Sequence, residues 1–292
     1  MAYVDLHTHS TASDGSLPPR EVVRLAKARG LKAIALTDHD TIDGLAEAVA
    51  AGQECGVEVV PGVEISARYP GGTMHILGYF LEYDNELLAR RLAVLQQARK
   101  DRNPRIIAKL NELGIPLRIE EVERISGGGQ IGRPHIARAL FEAGYVGSLQ
   151  EAFDIYLGNQ GQAYVEKFRF PPEEAIGMIR AAKGVPVLAH PFTLGLNDPA
   201  SLRALLRELV NLGLAGLEVY YPEHSPELEA LYLALARELN LLITGGSDFH
   251  GDNKPEVELG RIPCQSKLTY EMVEALKAWR RREYGGSGAS DQ

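Results

Sequence analysis

Apolar residues in this chain fall into short runs that alternate with amphipathic stretches of helical period. The runs are Tyr3–His7, Ala33–Thr37, Val57–Glu64, Met74–Phe80, Val185–His190, Gly216–Tyr221 and Leu241–Gly246. Between most of them lie segments with helical spacing: Pro18–Arg29, Gly44–Cys55, Pro172–Lys183, Leu202–Leu212 and Pro226–Leu239. Strand and helix in alternation predict parallel strands joined by right-handed crossovers, an α/β architecture. Seven such strands predict a barrel or a strongly curled open sheet.

The alternation breaks once, and the chain divides accordingly into 1–84, 85–165, 166–284 and a tail, 285–292. Asn85–Arg102 reads as a long charged helix, followed by Pro104–Leu113, the turn Gly114–Pro116 and a further helix from Ile119. Gly127–Gly129 reads as a hinge. Gly132-Arg133-Pro134-His135 opens another helix running to Ala143, with Pro134 suited to a first helical turn. The expectation is a helical insertion that covers one end of the barrel, and a Gly/Ser-rich tail that is disordered.

Composition narrows the classes. A chain of 292 residues, 45% apolar and 24% charged, is an ordinary globular one, so disorder, collagen-like repeats and coiled coil are excluded. No stretch approaches the roughly 20 uncharged apolar residues of a membrane span, and charged residues near the start argue against a signal peptide. Cys55 and Cys264 make no disulfide framework and read as reduced, buried thiols of a cytoplasmic protein. A net charge of −8 argues against stable duplex binding, but leaves open an anionic substrate held through bound cations.

The chemistry lies at the ends of the runs. Of the 8 histidines, most sit where an apolar run begins or stops. Asp5-Leu6-His7-Thr8-His9 ends the first run, and strand alternation turns both imidazoles to one face. Asp14 follows in a Ser/Gly-rich turn, where capping is its plainer role. The second run breaks into Thr37-Asp38-His39-Asp40, too polar a cluster for structure alone. Pro61-Gly62-Val63-Glu64-Ile65 buries a carboxylate that needs a metal or another partner. His75 begins its run, His190-Pro191 ends another, and Gly245-Gly246-Ser247-Asp248-Phe249-His250 places a carboxylate and an imidazole beside two glycines. Parallel barrels gather the C-terminal ends of their strands at one mouth, so these distant residues can meet there.

His7-x-His9, Asp14, Thr37-Asp38-His39, Pro61-Gly62-Val63-Glu64, His75, His190-Pro191 and Ser247-Asp248-x-His250 together resemble the PHP (polymerase and histidinol phosphatase) family. Within it the chain is similar to stand-alone 3′,5′-nucleoside bisphosphate phosphatases and related 5′-to-3′ exoribonucleases. The resemblance spans about residues 1–280 and fills every ligand position of the motif. It implies a distorted seven-stranded (β/α) barrel holding three divalent metals: manganese, with iron or zinc as alternatives. It also implies that His7, His9, Glu64 and Asp248 hold the first metal. Glu64 would bridge to a second on His75 and His190, and Asp14, His39 and His250 would hold the third.

A His-plus-carboxylate set without thiolate suits such ions. Closely spaced, they can supply a bridging hydroxide and stabilise both oxygens of an in-line displacement. Three divalent cations outweigh the carboxylates of Asp14, Glu64 and Asp248, so the pocket favours a phosphate monoester dianion. The expected reaction is removal of the 3′-phosphate from nucleoside 3′,5′-bisphosphates. Exonuclease action on short RNA or DNA is the alternative, with histidinol phosphatase next and a non-enzymatic metal-binding regulator last.

The insertion should supply selectivity. Arg102, Asn103, Arg133 and His135 are the candidate contacts for a second phosphate, with Asp14 and His39 also facing substrate. His135 is the candidate proton donor to the leaving oxygen. Glu218 and His224 are read as supporting residues, and Tyr220 and Tyr221 as core packing or a base platform. The expected partner is a small phosphorylated molecule, a nucleotide or short oligonucleotide, bound by a monomer away from any membrane.

Overall fold

A computed structural model describes residues 2–196, 198–263 and 267–285. Cys264 and the tail beyond Gly285 lie outside the described residues. The apolar runs become β1 (Val4–Thr8), β2 (Ala33–Leu36), β3 (Glu58–Ala67), β4 (Met74–Tyr79), β5 (Val185–Leu188), β6 (Gly216–Tyr220) and β7 (Leu242–Gly245). They form one 7-stranded sheet in sequence order. Its two edges meet beyond the strand ends, where Asp248 N donates to His7 O and His9 N to Phe249 O, each at 2.9 Å. The sheet is thus a nearly closed, distorted (β/α) barrel.

One strand runs against the parallel expectation. β4 is antiparallel to both β3 and β5, while the other pairs are parallel. The reason is the short link of residues 68–73 between β3 and β4, which allows a hairpin but no crossover helix. The reversal matters, because β4 begins at the rim where its neighbours end. His75, at the start of its run, therefore reaches the same mouth as the strand-end histidines.

The amphipathic segments become α1 (Pro19–Ala28), α2 (Leu45–Cys55), α7 (Pro172–Ala181), α8 (Pro199–Asn211) and α9 (Pro226–Glu238), which bury apolar stripes on the sheet. Helix α10 (Glu271–Tyr284) packs Met272, Val273 and Leu276 into the cluster around Val4, Tyr79 and Val187. Between β4 and β5 come α3 (Glu86–Glu112), α4 (Ile119–Ser126), α5 (Arg133–Glu142) and the short α6 (Leu149–Ala152), which passes into a π-helical turn over Phe153–Leu157. Cys55 is a free thiol but only half-buried.

Helix α3 runs unbroken through Pro104, where the sequence pattern predicts two pieces. A proline inside a helix removes one N–H and crowds the preceding turn. Packing on both sides carries the helix across that defect. Leu88, Leu92 and Leu95 join the barrel core, whereas Ile106, Ile107 and Leu110 join a second core with Val122, Ile136, Leu140 and Leu157. Arg102 and Asn103 consequently lie in mid-helix, not at a helix end. The second core approaches the barrel closely at two glycines. A Cβ on Gly129 would come within 1.8 Å of Thr11 O, and one on Gly132 within 2.9 Å of an Asp14 carboxylate oxygen.

Candidate metal centre

Glu64 sits in β3 with no exposed surface, and five imidazoles surround it. His75 Nδ1 and His190 Nε2 lie 2.6 and 2.9 Å from its Oε1. On the other oxygen, Oε2, His39 Nδ1 stands at 3.1 Å and the Nε2 atoms of His7 and His9 at 3.2 Å. Asp248 Oδ1 closes the same space, 3.4 Å from His7 Nε2 and 3.2 Å from His9 Nε2. Asp14 faces His250 Nε2 at 3.3 Å and His39 Nε2 at 3.9 Å. All nine residues that the sequence pattern singled out converge on one rim.

The backbone is bent to achieve this. His190 and Asp248 take positive φ values, 21° and 55°, which L residues rarely adopt, and both fall just beyond strand ends. Asp38 clamps the loop carrying Asp14 by accepting Ser10 N at 2.7 Å, Ser10 Oγ at 2.6 Å and Ser13 Oγ at 2.5 Å. Asp5 plays the same part beneath the β7 end, accepting from Ser247 N, Ser247 Oγ and Gly260 N. Glu218 on β6 holds two of these histidines at once, one by its ring and the other by its backbone. Its Oε1 is 2.9 Å from His7 Nδ1, and its Oε2 accepts the His190 N–H at 2.7 Å. Tyr221 OH and Lys254 Nζ both donate to Asp248 Oδ2 at 2.8 Å, leaving Oδ1 for the cluster.

These residues fit divalent ions on chemical grounds. His9 Nε2, His39 Nδ1, His75 Nδ1 and Asp14 Oδ1 are buried and point into the cluster, and although polar atoms lie close to each, none of these neighbours among the described residues has hydrogen-bond geometry. Buried polar atoms are rarely left so, and metal ligation is one of the few roles that explains four together. Three sets of ligand atoms lie within 4.8 Å of one another: His7, His9, Glu64 and Asp248; His9, Asp14, His39 and His250; and His39, Glu64 and His75.

Electrostatics agree. Burial opposes ionisation of Glu64, yet His39, His75 and His7 hold it well below the usual carboxylate range. Asp14 is held low against burial by His39 and His250. Against burial, Glu64 and Asp248 push the His9 imidazole up to about 10. The carboxylates thus draw positive charge between them, and a divalent ion answers that demand while displacing protons from the imidazoles.

Beside the cluster opens a cavity of about 220 Å³ whose wall carries Arg99, Arg102, Arg133, Lys167, Arg169 and Lys254. The arginines crowd one another. Burial, then Arg99, Arg133 and Arg169, lowers Arg102 well below its usual value, and burial and Arg169 lower Arg133 to about 10. Asp40 is the fixed counter-charge. Its Oδ2 accepts from Arg99 at 2.6 Å and Lys167 at 2.8 Å, and its Oδ1 accepts from Ser66 N at 2.8 Å. Asp40 answers Arg99 and Lys167 and Asp248 answers Lys254, while Arg102, Arg133 and Arg169 have no carboxylate partner among the described residues, which leaves the cavity suited to an anion.

Among the predicted substrate contacts, Arg102, Arg133, Asp14 and His39 line this cavity. Asn103 stands behind, accepting from Arg102 Nη2 at 2.8 Å and donating to Ile131 O at 3.0 Å. His135 is buried, accepts the Gly132 N–H on Nδ1 at 3.0 Å and is not part of the cavity wall. Tyr221 packs against the imidazoles of His190 and His224. Sequence reasoning missed Arg99, Lys167, Arg169 and Lys254. A signal existed in Lys167-Phe168-Arg169, where extended alternation places two cations on one side.

A cavity lined by arginines and lysines against a buried histidine–carboxylate cluster, at the mouth of a distorted barrel, is the site of a metal-dependent hydrolase of phosphate esters. The chain belongs to the PHP family, whose domain model matches residues 5–183. It is 34% identical to a 5′-3′ exoribonuclease of Escherichia coli over 96% of both chains. It is also 34% identical to a 3′,5′-nucleoside bisphosphate phosphatase of Chromobacterium violaceum, over 89% of this chain and 91% of that one. A solved structure described as an amidohydrolase from Chromobacterium violaceum, with bound sulfate and no metal, superposes with a TM-score of 0.84. It shares 32% identity and covers 94% of this chain and 96% of that one. Among the described residues no helix is long and apolar enough to cross a membrane.

Proposed function

We propose that the protein removes the 3′-phosphate from nucleoside 3′,5′-bisphosphates. The observation that carries this reading is the arginine cluster beside the histidine–carboxylate centre. A simple monoester needs only the centre, whereas a second phosphate gives the buried arginines a reason to be there. His7, His9, Glu64 and Asp248 would hold one ion, Glu64, His75 and His190 a second, and Asp14, His39 and His250 a third, with manganese the expected metal. When bound, the ions would supply a nucleophilic water at neutral pH and stabilise charge on the entering and leaving oxygens.

The protein's own groups do the rest. Arg102 and Arg133 hold the distal phosphate, which fixes the distance at which the scissile ester meets the centre. Asn103 keeps the Arg102 guanidinium turned toward the cavity, and His135 secures the start of the helix that carries Arg133. Glu218 holds His7 and His190 in place, and Tyr221 with Lys254 directs one Asp248 oxygen inward.

Exonuclease action from the 5′ end is the second reading, favoured by the 34% identity that the chain shares with the exoribonuclease as it does with the bisphosphatase. Both place a 5′-phosphate in the clamp and an ester of the 3′-oxygen at the centre. They differ in whether the ester is terminal. Phosphate release and product analysis on a nucleoside 3′,5′-bisphosphate, a 3′-monophosphate, a 5′-phosphorylated trinucleotide and histidinol phosphate, with manganese added, separate them. Preference for the bisphosphate supports the first reading. Nucleoside 5′-monophosphate released from the trinucleotide, with little bisphosphate turnover, replaces it with the second.

A further inference from the structure

Hydrolysis of an alkyl phosphate needs a proton for the departing oxygen, and the inference here rests on the phosphatase reading above. Even crowded by its neighbours, a delocalised guanidinium holds its proton near neutral pH, which removes Arg99, Arg102, Arg133 and Arg169. Lys254 is engaged in holding a ligand carboxylate, donating to Asp248 Oδ2 at 2.8 Å and to Tyr221 OH at 3.3 Å. His135 is not part of the cavity wall, and the remaining imidazoles on it are assigned to ions. Among the described residues of the cavity that leaves Lys167.

We propose that Lys167 is the proton donor to the leaving oxygen. Its ammonium is buried and fixed, 2.8 Å from Asp40 Oδ2 and 3.2 Å from Ser66 Oγ. Two of its three N–H groups go to these acceptors, and the third has none among the described residues. Both anchors tie it to the centre. Asp40 follows His39 directly, and Ser66 lies two residues beyond Glu64 and pairs with His75 across the β3–β4 hairpin. Asp40 also binds Arg99, the near edge of the arginine cluster, at 2.6 Å. Lys167 therefore stands on the wall between the two places that hold the ends of a bisphosphate, where the ester oxygen must lie. Burial, with Arg99 and Arg102, pushes its ammonium down to about 7 although Asp40 opposes the shift. That range suits a general acid working near neutral pH.

The step balances without any further reagent. A water oxygen bonds to phosphorus while the bond from phosphorus to the alcohol oxygen breaks. That bond's electron pair stays on the departing oxygen, which takes one proton from Lys167 Nζ. The neutral amine then regains a proton from solvent, which has received the one lost by water. The net products are inorganic phosphate and the alcohol.

Leaving-group dependence tests this assignment. Lys167→Met and Lys167→Arg, loaded with manganese, are compared with wild type on a nucleoside 3′,5′-bisphosphate, a nucleoside 3′-monophosphate and p-nitrophenyl phosphate. Both variants should lose roughly 10²–10⁴-fold in kcat on both nucleotides, since arginine keeps the charge but not the releasable proton. Turnover of p-nitrophenyl phosphate, whose leaving group departs without a proton, should change little, and it also shows that the variants are folded and loaded. Loss confined to the bisphosphate, seen in KM and restored by Lys167→Arg, would make Lys167 part of the distal phosphate clamp and overturn the proposal. Equal loss on p-nitrophenyl phosphate would overturn it as well. If wild type releases phosphate from neither nucleotide, the phosphatase reading itself fails and the proton-donor role falls with it.

Discussion

Asp40→Asn isolates the charge at the junction of the two halves of the site. Asp40 is buried with no exposed surface and has a φ of 55°, a conformation asparagine tolerates about as well as aspartate, so the backbone is not a confounding factor. The amide can still accept from Ser66 N. It loses the charge that two cations share through Oδ2, Arg99 at 2.6 Å and Lys167 at 2.8 Å. Breaking a buried ion pair by removing one partner costs about 3–5 kcal/mol, because the partner left behind is uncompensated. Lys167, already near 7, can relieve its share by releasing its proton, but Arg99 cannot. The expected loss is therefore near the lower end, about 3 kcal/mol at neutral pH. For a chain of this size that is a fall of about 5 °C in Tm.

The pH dependence has a definite sign. Burial opposes it, but Lys167 and Arg99 hold Asp40 far below its usual value of 3.8. A carboxylate depressed on folding stabilises above its unfolded pKa and loses that contribution as pH falls toward the folded one. The gap between wild type and Asp40→Asn should first grow as pH falls from 7, because the variant's Lys167, without Asp40, must then be forced to keep or regain its proton, and should narrow only below about pH 4, where Asp40 itself begins to protonate. Thermal and urea unfolding of chelator-treated protein from pH 7 to pH 3 measures it. A loss under about 1 kcal/mol at pH 7, or a gap that still widens below about pH 4, would refute the ion-pair account.

Glu64→Gln should be the most damaging carboxylate change, since one side chain faces five imidazoles, and elemental analysis should show a loss of more than one equivalent of metal. Glu218→Gln should weaken metal binding about 10–100-fold through His7 and His190, with little change in folding, as a chelator-competition titration will show. Arg133→Ala and Arg102→Ala should each cost about 1.5–3 kcal/mol of kcat/KM on a nucleoside bisphosphate and almost nothing on p-nitrophenyl phosphate. Gly132→Ala should reduce metal content and activity together, because its Cβ would press on Asp14 at 2.9 Å.

The residues of the centre were legible because strands end abruptly. An apolar run that stops at His-x-His, at Asp-His or at Asp-x-His reads as a rim without knowledge of the packing. Glu64 was legible for the opposite reason, as a charge inside an apolar run. His75 fitted poorly, since it begins its run, and the antiparallel course of β4 resolves that. Direction of pairing depends on which loop is too short for a crossover, a weaker signal than periodicity. The cavity wall was less legible. Arg102 and Arg133 were found from helix-start and helix-end chemistry, though Arg102 proved to be in the middle of α3, because packing overrides the proline. Lys167 and Arg169 lie in an extended segment outside any regular element, and only tertiary contact with Asp40 and α3 gives them a role. Helix α10, with Met272, Val273 and Leu276 buried, went unread although its spacing is helical.

The central claim is that a metal centre and a cationic clamp act together on a doubly phosphorylated nucleotide. Phosphate release from a nucleoside 3′,5′-bisphosphate, followed before chelation, after chelation and after return of manganese, tests it most directly. The account predicts release of the 3′-phosphate with nucleoside 5′-monophosphate as the other product, lost on chelation and regained with metal. Turnover that survives complete metal removal, or no phosphate release from the fully loaded protein, would contradict it.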